Sequence, residues 1–274
     1  MPSLATMLRA LPLEKLAPSA HRYLELLFVL TQRNLKVRYR GSILGVYWSL
    51  LNPLLMTAAY TAIFGTTFAA YYDHSLLNYL LAAFTGLVVI NFFNVTTTQA
   101  LPSVVNSGAL LNKIRLPFSI LPLSLVLSNI FQFVVGPLPL LAVMTLVVSH
   151  NPFYALLLVI PSVALVLAAT GISFLVSALY VFFRDLPYLY ELVAFALFLS
   201  SPVFYPAAIV PKQVKTFIDL NPLTPIIEGL RQLILGRADL SWGVLGIALL
   251  SGTVVCTIGA LFFNARSDQY MDLL

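Results

Sequence analysis

The sequence is poor in charge: 15 Lys and Arg and 10 Asp and Glu, together 9% of 274 residues. A soluble domain usually carries about 25%, so an ordinary water-facing surface cannot be built from this chain. The single cysteine, Cys256, permits no intramolecular disulfide and reads as a small core residue within an apolar run. No GxxxxGK[ST] phosphate loop, HExxH or CxxC occurs, so no recognisable ATPase, zinc-peptidase or dithiol site is supplied. His21, His74 and His150 are too dispersed for a metal centre. A carboxylate inside an apolar tract would point to a proton or sodium relay. The one candidate, Glu191, sits at the edge of its tract near Arg184 and Asp185, where anchoring or pairing is the better reading.

What is present is apolar: 60% of the residues are hydrophobic. Residues 41–112 hold one charge, Asp73, and residues 116–183 hold none. A spanning helix needs about 20 residues, and the pattern predicts six, at about 47–70, 77–98, 119–147, 153–178, 188–205 and 242–263. The fifth is the shortest, bounded by Pro202 and Pro206. A turn at HNPF, 150–153, separates the third and fourth. The fold class expected is an all-α integral membrane protein, with residues 1–45 before the membrane domain, 46–263 within it and 264–274 as a tail. Pro53, Pro137, Pro139 and Pro161 fall inside spans, where each removes a backbone donor.

Before the first span lies RNLKVRYRGSILGVYW, with Arg33, Lys36, Arg38 and Arg40 close together. From Arg22 a helical period puts Leu24, Leu27, Phe28, Thr31 and Leu35 on one side and Arg22, Glu25, Arg33, Lys36 and Arg40 on the other. This predicts an amphipathic helix in the membrane interface, with Gly41 and Gly45 turning the chain into the first crossing. With the N-terminus inside, Arg33, Lys36, Arg38, Arg40, Lys113, Arg115, Arg184 and Arg266 all fall on the cytoplasmic side, as the positive-inside rule requires. The net charge of +5 then reflects loops beside anionic lipid rather than nucleic-acid binding.

Residues 206–241 lie outside under this topology although they contain Lys212, Lys215, Arg231 and Arg237. Within them Ile226, Ile227, Leu230, Leu233 and Ile234 recur at helical spacing, which predicts a short amphipathic element on or dipping into the outer leaflet. Non-helical backbone at that depth must be covered by protein. In the first span Tyr60, Phe64, Phe68 and Tyr71 form a stripe. Such a stripe serves helix packing and anchoring, or offers a smooth wall for the apolar faces of sugar rings.

Five segments together resemble the transmembrane subunits of ABC-2 type exporters that move bacterial polysaccharides: O-antigen, capsule or teichoic acid. They are LKVRYRGSILGVYWSLLNPLL (35–55), LLNKIRLPFSILPL (110–123), VFFRDLPYLYE (181–191), SPVFYP (201–206) and NPLTPIIEGLRQLILG (221–236). The tail, with Tyr270 and Asp272, is similar to the family's end, but Asn264 and Ala265 stand where cations are usual. The resemblance implies a homodimer of six-span subunits in the bacterial inner membrane, joined to two separate ATPase subunits that bind ATP and Mg. It implies a cytoplasmic coupling helix at about 99–113, with Leu101, Val104, Val105, Leu110 and Leu111 for packing and Lys113 and Arg115 at its end. Arg184 and Asp185 would make a second ATPase contact. Pro202, Tyr205, Asn221, Pro222, Glu228 and Arg231 would belong to the outer gate. The substrate implied is a polyprenyl-diphosphate-linked glycan, for whose phosphates Arg33, Lys36, Arg38 and Arg40 compete with anionic lipid and the ATPase. Two further readings are an ABC-2 permease for a small lipid or drug, and a membrane enzyme acting on lipid-linked sugars. No convergent acidic or histidine site supports the enzyme.

Overall fold

The computed structural model describes residues 18–111, 116–206, 209–236 and 240–273; Lys113, Arg115 and Arg237 lie outside them. Its helices are α1 (Pro18–Arg38), α2 (Trp48–Phe68), α3 (Leu76–Ala100), α4 (Ile120–Val135), α5 (Pro137–Ser149), α6 (Pro152–Leu157), α7 (Val159–Phe182), α8 (Leu186–Ser200), α9 (Lys212–Leu220), α10 (Leu223–Ile234) and α11 (Trp242–Ala265). Among the described residues five stretches are long and apolar enough to cross a bilayer: Gly45–Tyr71, Leu76–Ala100, Ile120–Ser149, Pro152–Phe182 and Trp242–Ala265. The expected fifth crossing is shorter than the rest. Helix α8 has 15 residues, about 22 Å of rise against about 30 Å of hydrocarbon.

Local sequence sets the breaks. Gly41 and Gly45 take φ of +77° and +50°, conformations that cost glycine little, and turn the chain from α1 into α2. The tract expected as one helix over 119–147 divides at Gly136 (φ −101°, ψ −88°), after which Pro137 opens α5. His150 ends α5 in the left-handed region, and the Asn151 side chain caps α6 by accepting from the Phe153 N–H at 2.9 Å.

Helix α3 is the hub, buried on almost every side over Tyr79–Phe93 and packed by α2, α4, α7 and α10. Helices α7 and α11 form the closest pair. A Cβ at Gly252 or Gly259 would run into the backbone of Ala164 or Gly171, the small-residue approach on which membrane helices rely.

Helix α1 lies against α4 and is held by polar bonds as well as by apolar contact. Leu27 and Leu30 are buried, Asn34 Nδ2 donates to Ser124 Oγ at 3.0 Å, and Ser128 Oγ donates to the Thr31 carbonyl at 3.3 Å. Arg22, Glu25, Arg33, Lys36 and Arg40 are exposed, as the period predicts, but Leu24 is also exposed. The side of α1 that meets α4 is Leu27–Leu30–Asn34, because α4 presents serines to bond as well as leucines to cover.

The connections fall at two ends. The Tyr71–Ser75 turn meets the segment after α8, where Tyr79 Oη donates to the Phe204 carbonyl at 3.0 Å. Gly236 abuts Ser149 at the same end. At the opposite end lie α1, the 101–111 segment, the Arg184–Asp185 turn and the tail. There Tyr270 is fully buried among Phe118, Phe182 and Phe263, its hydroxyl on the Phe263 carbonyl at 2.8 Å. Burial raises the Tyr270 phenol above its ordinary pKa, so it stays a donor at any cellular pH. Arg184 Nη2 donates to the Leu273 carbonyl at 3.2 Å. This end carries the exposed Arg22, Arg33, Lys36, Arg40, Arg184 and Arg266.

Candidate functional site

Between α8 and α11 the chain folds back into the bundle. The element expected to lie on or dip into the outer leaflet is α10, whose apolar side is buried in the bundle: Leu223, Ile226, Ile227, Leu230, Leu233 and Ile234 are all at 0% exposure, while Thr224, Pro225, Glu228 and Gln232 on the other side are half-buried. Its start is fixed by Asn221, whose Oδ1 accepts from the Leu223 N–H at 2.9 Å. The Nδ2 of the same side chain donates to Ser200 Oγ and Ser201 Oγ at 3.0 and 2.9 Å. The carbonyl of Pro222, next in the chain, accepts from Ser251 Oγ at 3.4 Å.

Arg231 is 4% exposed within this apolar surround. It donates through Nε to the Ala82 carbonyl at 3.1 Å and through Nη2 to the Val203 carbonyl at 2.6 Å, and it pairs with half-exposed Glu228 at 3.5 Å. It therefore ties α10 to α3 and to the bent, irregular run Ser201–Pro206. That run lies so close to α3 that a Cβ at Gly86 would meet the Val203 backbone at 2.7 Å. Pro202 is buried there, and Tyr205 Oη donates back to the Leu199 carbonyl at 3.0 Å.

The α2 aromatic stripe packs on this same run. Phe204 stacks on Tyr60 at 5.0 Å and 6° and on Phe64 at 5.8 Å, while Phe68 tilts against Tyr79 at 6.0 Å. Tyr71 does not continue the stripe. The chain tightens to a 3-10 turn over Ala69–Tyr71, which leaves Tyr71 half exposed and turns Tyr72 onto Tyr79 instead.

Of the proposed coupling residues, Leu101, Val104 and Leu111 are buried within the subunit and Val105 is half-buried. Leu110 lies in the single turn Gly108–Leu111. Arg184 and Asp185 are exposed and face the basic end.

The four-cation cluster divides. Arg33, Lys36 and Arg40 are exposed and make no side-chain bond among the described residues. Arg38 is also open to solvent, but its guanidinium turns toward the bundle. Its Nη1 donates to Asn129 Oδ1 at 2.8 Å and to Gln99 Oε1 at 3.3 Å, and Asn129 Nδ2 donates to that same Gln99 oxygen at 3.0 Å. This closed triangle edges a cleft of about 360 Å³ between α2, α3 and α4, lined also by Trp48, Asn52, Asn91, Phe92 and Gln132. Asn52 and Asn91 make no side-chain hydrogen bond among the described residues. Around α3 the polar surface continues through Asn94 and Thr98 into an open groove of about 890 Å³ against α8, where Glu191 and Tyr190 lie. The Asn94 Oδ1 is buried and without a partner. Asn91, Asn94 and Thr98 are three and four residues apart and so share one helix face.

An amide without a partner in hydrocarbon costs several kcal/mol. This face must therefore meet water, a polar ligand or another subunit. The amides carry a signal that charge counting missed. The predicted first three spans contain Asn52, Asn78, Asn91, Asn94, Asn129 and Gln132, and the last three contain no Asn or Gln.

A family model described as ABC-2 type transporter matches residues 25–235. The chain belongs to the ABC-2 type transporter family. It is 30% identical over 252 residues to an O-antigen export system permease protein RfbA of Klebsiella pneumoniae, covering 91% of this chain and 95% of that one. A second protein of the same description from that organism is 29% identical over 252 residues. One from Myxococcus xanthus is 26% identical over 258 residues, 93% of this chain and 97% of its own. The ABC-2 match begins within α1 and ends after α10, so it takes in both the Arg38 cleft and the Arg231 tie.

Proposed function

We propose that this chain is the transmembrane subunit of an ATP-driven exporter that carries a lipid-linked polysaccharide, of O-antigen, capsule or teichoic-acid type, across the bacterial cytoplasmic membrane. The observation that carries this reading is similarity to O-antigen export permeases along 91% of the chain and 95% of the relative. Two permease subunits and two ATPase subunits form the working unit, and the ATPases bind ATP and Mg. The basic end is cytoplasmic by the positive-inside rule. Helix α8 completes a sixth crossing by continuing into Ser201–Pro206, a non-helical run that can lie at membrane depth because α3 and α10 cover it.

The glycan passes between the two subunits along the face of α3 that carries Asn91, Asn94 and Thr98, whose amides exchange bonds with successive sugar hydroxyls. The Arg33–Arg40 cluster stands where a lipid phosphate reaches this face from the inner leaflet. The aromatic stripe at Tyr60, Phe64 and Phe68 leads toward the outer gate formed by Pro202, Tyr205, Asn221, Pro222, Glu228 and Arg231. Closure of the ATPase pair acts on the 99–113 segment and on the Arg184–Asp185 turn, and shifts the subunit interface.

The test is deletion of the gene with the partner ATPase intact, followed by extraction of lipid-linked glycan and staining of surface glycan. Intracellular accumulation with loss of the surface polymer is the expected result. An unchanged surface glycan with no accumulation refutes the proposal.

A further inference from the structure

The inward turn of Arg38 separates it from its three neighbours and gives the cleft a specific chemistry. An arginine guanidinium has five N–H donors in a rigid plane. Here only Nη1 is engaged, on two neutral amide oxygens, which leaves the three N–H groups of Nε and Nη2 unengaged among the described residues. The ion pairs among the described residues are His21–Glu25 and Arg231–Glu228, so no carboxylate neutralises Arg38. No acidic residue lines the cleft. The amides also hold one another: Asn129 Nδ2 is spent on Gln99 and on the Leu125 carbonyl, at 3.0 Å each, and Gln132 Nε2 donates to the Ser128 carbonyl at 3.2 Å. The cation is thus fixed in direction without being discharged. That is the arrangement a phosphate needs, because bidentate charge-assisted bonds reward a preset fork. Beyond it, the unpartnered Asn52 and Asn91 and the indole of Trp48 offer hydrogen bonds and a flat apolar face. A phosphate joined directly to a sugar presents both features side by side: an anion, then a ring with hydroxyls and an apolar face.

We propose that the cleft between α2, α3 and α4 binds the sugar-diphosphate head of a lipid-linked glycan. Arg38 holds the phosphate, Asn52 and Asn91 hold the first sugar, and Gln99 and Asn129 position Arg38. This rests on the export reading above. Lys36 and Arg40 serve general attraction to the anionic surface and carry no selectivity.

The probe is farnesyl diphosphate, read through Trp48 emission in the full-length protein in phosphatidylcholine vesicles. The chain has two tryptophans, so Trp242→Phe leaves Trp48 as its sole reporter. A saturable change in Trp48 emission is expected. Arg38→Gln should weaken it about tenfold or more, while Lys36→Gln and Arg40→Gln stay within about twofold. Asn129→Asp keeps an acceptor for Arg38 but neutralises it, and should also abolish binding without releasing α1. An engineered disulfide between positions 34 and 124, made by combining Asn34→Cys with Ser124→Cys in a Cys256→Ala background, reports that α1 remains docked.

Equal loss from Lys36→Gln overturns the site in favour of diffuse surface charge. Abolition of farnesyl diphosphate binding by phosphatidylglycerol in the vesicles assigns the cleft to a resident phospholipid and also overturns it. In cells, normal export by Arg38→Gln in a strain whose deletion accumulates lipid-linked glycan rejects this site and leaves the export reading standing.

Discussion

Replacement of Arg231 by Met should abolish export while most of the protein still reaches the membrane. Met fills a similar apolar volume but donates nothing, so the carbonyls of Ala82 and Val203 each lose a charge-assisted bond. Bonds of that kind contribute about 1.5–3 kcal/mol each, so the loss is about 3–6 kcal/mol, concentrated where α3, α10 and Ser201–Pro206 meet. This bent run has no helical bonds of its own to fall back on and should separate from α3. Protease accessibility at 201–206 from the outer face, in spheroplasts, would rise, and the thermal midpoint of purified protein would fall by several degrees. Arg231→Lys should rescue poorly, since one ammonium cannot reach two carbonyls from the Nε and Nη2 positions. Glu228→Gln should be mild because the pair is long, at 3.5 Å, and Glu228 is half exposed. Full export by Arg231→Met would show that the tie has no part in gating.

Gly259→Leu should yield no folded protein. A Cβ at Gly259 runs into the Gly171 backbone and one at Gly252 into the Ala164 backbone, and backbone cannot rotate aside as a flexible side chain can. Overpacking ordinarily costs about 1–3 kcal/mol, and here the strain would separate α7 from α11 along their length. Gly259→Ala should fold with a lowered midpoint. Gly246→Ala is the control, since nothing lies within 4 Å of its Cβ position, and it should be neutral or slightly stabilising through helix propensity. Detergent extraction with size-exclusion chromatography distinguishes the three. A monodisperse Gly259→Leu protein would mean that the two helices pack less closely than described.

Much of this was legible in the residues. Long uncharged tracts require helices whose backbone bonds close within the segment, so α2, α3, α4 with α5, α6 with α7, and α11 follow from composition. Gly41, Gly45 and the HNPF turn mark changes of direction that need positive φ or a cap. Helix α10 and its apolar face were legible as a period, since Ile226, Ile227, Leu230, Leu233 and Ile234 repeat at helical spacing. Five segments in order carried the family, which the match over residues 25–235 establishes.

Tertiary structure decided the rest. One-dimensional charge counting treats Arg33, Lys36, Arg38 and Arg40 as equals. Their separation depends on Asn129 and Gln99, about 90 and 60 residues away, whose side-chain oxygens hold the Arg38 guanidinium. Period alone placed Leu24 on the apolar face of α1, because it cannot register that α4 bonds Asn34 and Thr31 through serines. Nor could it foresee that Arg231, counted as an outer-loop cation, would be buried and satisfied by carbonyls of two other elements. Sequence determined which segments must enter the membrane, because backbone satisfaction there is local. Which polar side chains remain unpaired along α3, and so which face is available to a substrate, was decided by partners distant in the chain.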